Sequence, residues 1–324
     1  MVQILLIGLG AGAVSALLYA SIISGSLLAL LLVFLSRLPI LIAALGWSHW
    51  AALVAAVTAS VGLGAMGGLS AFLLVLFTFG LPTWWLGYLA LLARPANRPT
   101  PDGLEWYPAG HIVVWAALTG ALTVIAILPV FGMDVDALYA ALRVWIERVF
   151  RVMARTPAGA PIEMSGVDAK RAIDMFVLIS LPLTAVMFTV INLTNLWLAA
   201  RIVRISGRLR RPWPDLSAIT FPVYAPVLLG AAVLGTFASG VLGLVANVLI
   251  ASLLIAYAVL GFAVLHAVTR GNPGRIPMLF GTYFILIALS GWPALLMMLL
   301  GLVDSIFDIR GRIARRRPPT RPQT

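Results

Sequence analysis

The sequence predicts an all-α fold: a polytopic transmembrane helical bundle of about eight spans plus a broken or re-entrant C-terminal helical pair. Three observations lead there. Of the 324 residues, 62% are hydrophobic and 10% charged, whereas soluble domains carry about 25% charged residues. The apolar residues fall in long runs, enough to cross about 30 Å of hydrocarbon at 1.5 Å per residue. The basic residues gather in two blocks, 201–211 and 310–321, each beside an apolar run. Residues 1–303 therefore read as one integral membrane domain, and 304–324 as a basic, proline-rich, disordered cytoplasmic tail.

The net charge of +11 does not imply a nucleic-acid partner, because no segment is polar enough to build a folded basic module. The expected partner of the arginine blocks is a bilayer with anionic headgroups. Cysteine is absent, which rules out disulfides, thiolate metal sites and cysteine nucleophiles. Lys170 is the only lysine, an arginine bias that fits a GC-rich bacterial genome.

Residues 2–23 form the first span and lack the basic n-region of a cleaved leader. Gly8, Gly12, Ala16 and Ala20 place small side chains on one stripe, fitted to close helix contact. The contact lies either inside the chain or with a membrane-protein partner. The second segment, 26–46, is interrupted by Ser36-Arg37-Leu38-Pro39. A mid-span arginine costs about 2.5–3.5 kcal/mol on insertion scales, so this is a broken span facing the interior or two half-segments dipping in and returning. Spans three and four cover 49–64 and 69–92, joined by a glycine-rich turn. GLGAMG at 62–67 follows no strand and fails the dinucleotide context test. Pro82 beside Trp84 and Trp85 suggests a kink near an interfacial aromatic anchor. Linker 93–109 holds four prolines and is not helical throughout; span five is 110–131.

Residues 134–155 set Leu138, Leu142, Trp145 and Val149 at helical spacing against Arg143, Glu147, Arg148, Arg151 and Arg155. This predicts an amphipathic helix on the membrane surface, covering one face of the bundle or acting as a lid. Span six is 172–200, followed by Arg201, Arg204, Arg208, Arg210 and Arg211, which fix its end at the cytoplasmic headgroups. Spans seven and eight are 222–243 and 246–269. A hairpin over 277–303 leaves 15 basic residues inside and 6 outside, whereas one straight span leaves 9 and 12. The positive-inside rule prefers the hairpin, with both termini cytoplasmic and the bacterial inner membrane as the location.

No HExxH, GxSxG or P-loop occurs, and the three histidines lack metal-ligand spacing. The expectation is no enzyme, no metal and no cofactor. Polar groups inside spans are the better candidates, since each costs free energy unless partnered. Thr189, Asn192 and Asn195 share one helix side, with Asn192 about 13 Å along the helix from Arg201. Asn247, His266 and Tyr283 add polar atoms in later spans. These six are the candidate substrate-binding residues, with interhelical hydrogen bonding as their alternative use.

EWYPAG at 105–110, NLWLAARIVRISGRLRRPWPDL at 195–216, LGFAVLHAVTRG at 260–271 and GLVDSIFDIRGR at 301–312 resemble the YybS-like family of bacterial membrane proteins, a domain without assigned chemistry. The resemblance covers most of 1–312. It implies a remote architectural similarity to the substrate-binding subunits of energy-coupling-factor transporters, in which a small-residue stripe on the first helix docks to a coupling subunit. Gly12, Ala16 and Ala20 would be the counterpart here. Two functions follow as expectations: a solute-binding or transport subunit, or a non-transporting scaffold for envelope assembly or a partner complex. A polar cavity lined by the spans separates them.

Overall fold

A computed structural model of the chain describes residues 1–65, 67–97, 99–100, 102–154, 156, 168–289 and 292–316. It is all-helical apart from one small hairpin. In order come α1 (Val2–Ala20), α2 (Leu27–Phe34), α3 (Leu38–Gly46), α4 (His49–Gly64), α5 (Gly68–Val75) and α6 (Leu81–Leu91). Strands β1 (Ala93–Pro95) and β2 (Leu104–Trp106) pair antiparallel, with Arg94 opposite Glu105. Then follow α7 (Ala109–Ile125), α8 (Val135–Met153), α9 (Ala169–Ile205), α10 (Tyr224–Gly235), α11 (Gly240–Val268), α12 (Arg275–Ala288), α13 (Ala294–Phe307) and α14 (Ile309–Arg316). Among the described residues six stretches are long and apolar enough to cross a membrane: Val2–Ser24, Leu27–Gly46, Gly68–Leu91, Ala109–Phe131, Ala169–Ile205 and Gly240–Val268.

The seventh expected span, 222–243, is replaced by the 12 residues of α10, about 18 Å of helix. A turn at 236–239 ends it, and Gly240 at φ 67° lets the chain reverse into α11. The tail also begins later than the sequence suggests. Asp304 lies inside α13, only 4% exposed, and forms an ion pair of 2.8 Å with Arg310 on α14. The folded unit therefore runs to Arg316, because burial of that carboxylate requires its partner. The expected disorder from 317 onward, Arg155, and part of the interruption at 290–293 lie outside the described residues.

The arginine-rich loops meet at one end of the bundle. Arg211 donates to the carbonyls of Tyr107 (2.8 Å) and Ala90 (3.4 Å). Arg270 pairs with Asp215 at 3.2 Å, and Arg310 donates to the Ser217 carbonyl at 2.9 Å. Helix α4 begins at this end, where Trp84 Nε1 donates to the His49 carbonyl and Arg208 stacks on Trp47. Helix α1 runs beside α4 in the same direction, with Gly8 against Ala51 and Val54 and Gly12 against Ala55 and Thr58. Residue 1 therefore sits at the arginine-rich end as well. Residues 275–307 leave that end and come back to it.

At the opposite end α8 leans on the first turns of α9. Ile146 is buried with Ile173 and Val177, Phe150 meets Phe176 edge to face, and Arg143 pairs with Asp174. The amphipathic helix expected at 134–155 is present, but its apolar stripe is divided. Leu138, Leu142 and Ile146 pack inward, whereas Val144, Trp145, Val152 and Met153 are exposed.

Candidate functional site

Two interruptions of the helical ladder, far apart in sequence, face each other inside the bundle. The first lies between α2 and α3. Turns at 35–37 and Pro39 near the start of α3 break the i→i−4 pattern. Side chains from other helices bind the carbonyls left over: Asn195 Nδ2 donates to Phe34 at 2.7 Å, and Ser15 Oγ donates to Ser36 at 2.7 Å. The second lies between α5 and α6, where Leu76–Gly80 widens to π-helical geometry. Pro82 has no N–H to offer the carbonyl four residues back, which is that of Thr78. That oxygen instead accepts from Arg37 Nη2 (3.3 Å) and Thr123 Oγ1 (3.1 Å). Lengths of helix place the centre consistently: Arg37 and Thr119 lie 9 and 10 residues, about 13–15 Å, from the arginine-rich ends of α3 and α7, and Asn192 lies nine residues before Arg201 on α9.

Arg37 joins the two interruptions. It is 2% exposed. Its Nη1 donates to Asn192 Oδ1 at 2.5 Å, and its guanidinium lies 5.4 Å from the Phe79 ring and 5.3 Å from the Phe188 ring. Asn192 Nδ2 in turn donates to Thr119 Oγ1 (3.1 Å) and to the Ala116 carbonyl (3.4 Å) on α7. This reach is possible because Gly120 lets α7 approach α9 closely; a Cβ there would land on Thr189 Oγ1 and on α9 backbone. Arg37 has five N–H donors, two of which these bonds occupy. Its charge has no carboxylate partner among the described residues. The ten acidic side chains there lie in the β hairpin, on α8 and the start of α9, or around Asp215, Asp304 and Asp308 at the arginine-rich end. Asn195 Oδ1, buried one turn along α9 from Asn192, has no hydrogen-bond partner.

The six candidate substrate residues do not form one site. Thr189, Asn192 and Asn195 are 0–1% exposed and face the interior, with Thr189 Oγ1 bonded to the Ala185 carbonyl. Asn247 is exposed and bonds back to Gly243 of its own helix, which satisfies its amide without a neighbour. His266 and Tyr283 pair at 2.9 Å between α11 and α12, toward the arginine-rich end of α11. Arg37, the residue at the centre, belongs with Asn192; the signal for it in the sequence was a lone ionisable group at mid-span.

The small-residue stripe of α1 is used within the chain. Gly8 and Gly12 are buried against α4, and Ala16 packs beside Ala55 and Ala59; Ala20 is half-buried. The loop arginines also divide. Arg201 and Arg204 stack on Trp213 at 5.9 and 4.9 Å, and Arg210 is exposed. Arg211 turns into the protein instead of toward headgroups, because the C-terminal carbonyl of Ala90 needs a donor there, and burial pushes its guanidinium below the ordinary value.

Four cavities bear on the site. One at the arginine-rich end, about 450 Å³, is lined by Asp215, Ser217, Arg270, Asp308 and Arg310 among others. An apolar one of about 150 Å³ lies between α7, α9 and Trp213. Two more border the β hairpin. None of these four is lined by Arg37, Asn192 or Asn195. Among the described residues no group of three or more His, Asp or Glu could hold a metal ion. No protein-family model, curated protein or solved structure matches this chain.

Proposed function

We propose that this chain is a solute-binding subunit of a membrane transport system, with Arg37 and Asn192 at its binding centre. The supporting observation is the buried Arg37 charge without a carboxylate, placed where two interrupted helices meet. Ionisable groups inside spans are costly and serve function by default. Transporters build their sites from discontinuous helices near the midplane, and freed backbone groups line them. In this reading the centre, which none of the four cavities reaches, is in an occluded conformation. The bundle would sit in a bacterial inner membrane with the arginine-rich end and both termini cytoplasmic. It would carry eight crossings, with α12 and α13 as a re-entrant pair.

The alternative is a non-transporting scaffold for envelope assembly or a partner complex. One observation favours it: the polar groups at the centre bond mainly to one another, and the described cavities leave them untouched. Mass spectrometry of small molecules retained by the detergent-purified protein tests between the two. The solute-binding reading expects one compound class to be retained by the wild type and lost on Asn192→Leu while the protein still accumulates. A bundle that retains nothing, paired with stoichiometric protein partners, would establish the scaffold instead.

A further inference from the structure

We infer that the solute taken up by the Arg37 centre is a small monovalent anion, of the size of a halide or a lone carboxylate group. This rests on the solute-binding reading and adds its charge and size. The site carries a single formal positive charge, so one negative charge neutralises it, whereas a dianion would leave an unpaired charge buried among apolar side chains. The backbone adds to the same sign. Arg37 precedes α3 directly, so the dipole of that nine-residue half-helix also favours a negative charge near its start.

Direction and room follow from the contacts. The Arg37 guanidinium lies over the Phe79 and Phe188 rings, Asn192 and the Thr78 carbonyl occupy part of its edge, and its N–H donors all lie in its own plane. An anion must therefore approach in the guanidinium plane, along the remaining N–H donors. None of the four cavities reaches the centre, and an ion of a few ångströms asks for less rearrangement there than a bulky organic body. No carboxylate of the protein competes for the position among the described residues.

The protein should be purified with gluconate as the only anion and then titrated with sodium chloride, bromide, acetate or sulfate at constant ionic strength, following thermal unfolding. Chloride and bromide should raise the melting temperature saturably, by about 5 °C at a hundredfold excess over Kd, and sulfate should not. Acetate acting like chloride assigns a carboxylate group as the natural ligand; acetate without effect assigns a halide. Arg37→Met should abolish the saturable shift, and Arg37→Lys should retain part of it. Because Arg37→Met could prevent folding, bromide-soaked wild-type crystals supply an independent measurement, with an anomalous peak expected beside the guanidinium. A wild type indifferent to every monovalent anion and without that peak overturns the inference. If such a protein still retains a neutral or cationic solute, the solute-binding reading survives. If it retains nothing, both fall.

Discussion

Replacing Asn192 by leucine should cost far more than replacing Asn195, although both amides are buried on the same side of α9. Asn192→Leu removes the acceptor of a hydrogen bond from a buried cation, a class of bond contributing about 1.5–3 kcal/mol. It also removes the donor to Thr119 Oγ1, an interhelical contact averaging about 0.6 kcal/mol. The expected loss is therefore about 2–4 kcal/mol. Asn195→Leu removes two neutral bonds, to the Phe34 and Ile191 carbonyls, but also disposes of a buried oxygen that has no partner, which offsets part of the loss, so about 1 kcal/mol is expected. Reversible unfolding in mixed micelles gives both numbers. The cause is then isolated with Arg37→Met: in the double variant Arg37→Met/Asn192→Leu the losses should overlap by about 1.5–3 kcal/mol. Equal losses for the two asparagines, or a double variant whose losses simply add, would show that Arg37 does not depend on Asn192.

At Gly261 a Cβ would fall on the carbonyl of Met297, so Gly261→Leu should push α13 off α11 and make a cysteine placed at Leu302 reactive to a membrane-permeant thiol reagent; the native chain has no cysteine to interfere. Pro82→Ala returns an N–H to the Thr78 carbonyl and should weaken its bonds to Arg37 and Thr123, reducing the loss caused by Thr123→Val below its value in the wild-type background. A periplasm-active reporter fused after Arg312 should be silent, and one fused between α8 and α9 should be active; the reverse pattern inverts the proposed orientation. The Asp215 carboxyl is held below its ordinary value, chiefly by hydrogen bonds from the Ser217 side chain and backbone, with Arg270 adding to them. The contribution of that contact is present above the unfolded pKa and lost as pH falls through the lowered folded value. Protease sensitivity of the tail should therefore rise in acid below the usual carboxylate range, and Asp215→Asn should show that raised sensitivity at neutral pH.

How much of this was legible in the sequence depended on whether the determining partner was near or far along the chain. Helical runs, the amphipathic stretch before Met153 and the inward side of Thr189, Asn192 and Asn195 follow from periodicity and the cost of exposing an amide to lipid, and all three are present. The interruption at Arg37 and Pro39 was also visible, as was the kink at Pro82. Neither could be read as half of one site, because Arg37 meets Asn192 across 155 residues and the Thr78 carbonyl across 41. A backbone carbonyl has no sequence signature until the proline that frees it is matched with the donor that takes it up. The boundary at 303 is a different case: the basic composition after it reads as tail, yet Asp304 and Arg310, six residues apart, pair locally and tie α14 to α13. Asn247, His266 and Tyr283 were grouped by residue type alone, and residue type cannot tell an amide satisfied by its own helix from one that needs a neighbour. The two prolines thus act on the same bundle: Pro39 opens α3 just after the turn that carries Arg37, and Pro82 frees an oxygen that Arg37 takes up. Arg37 is held between them with more donors than the protein answers.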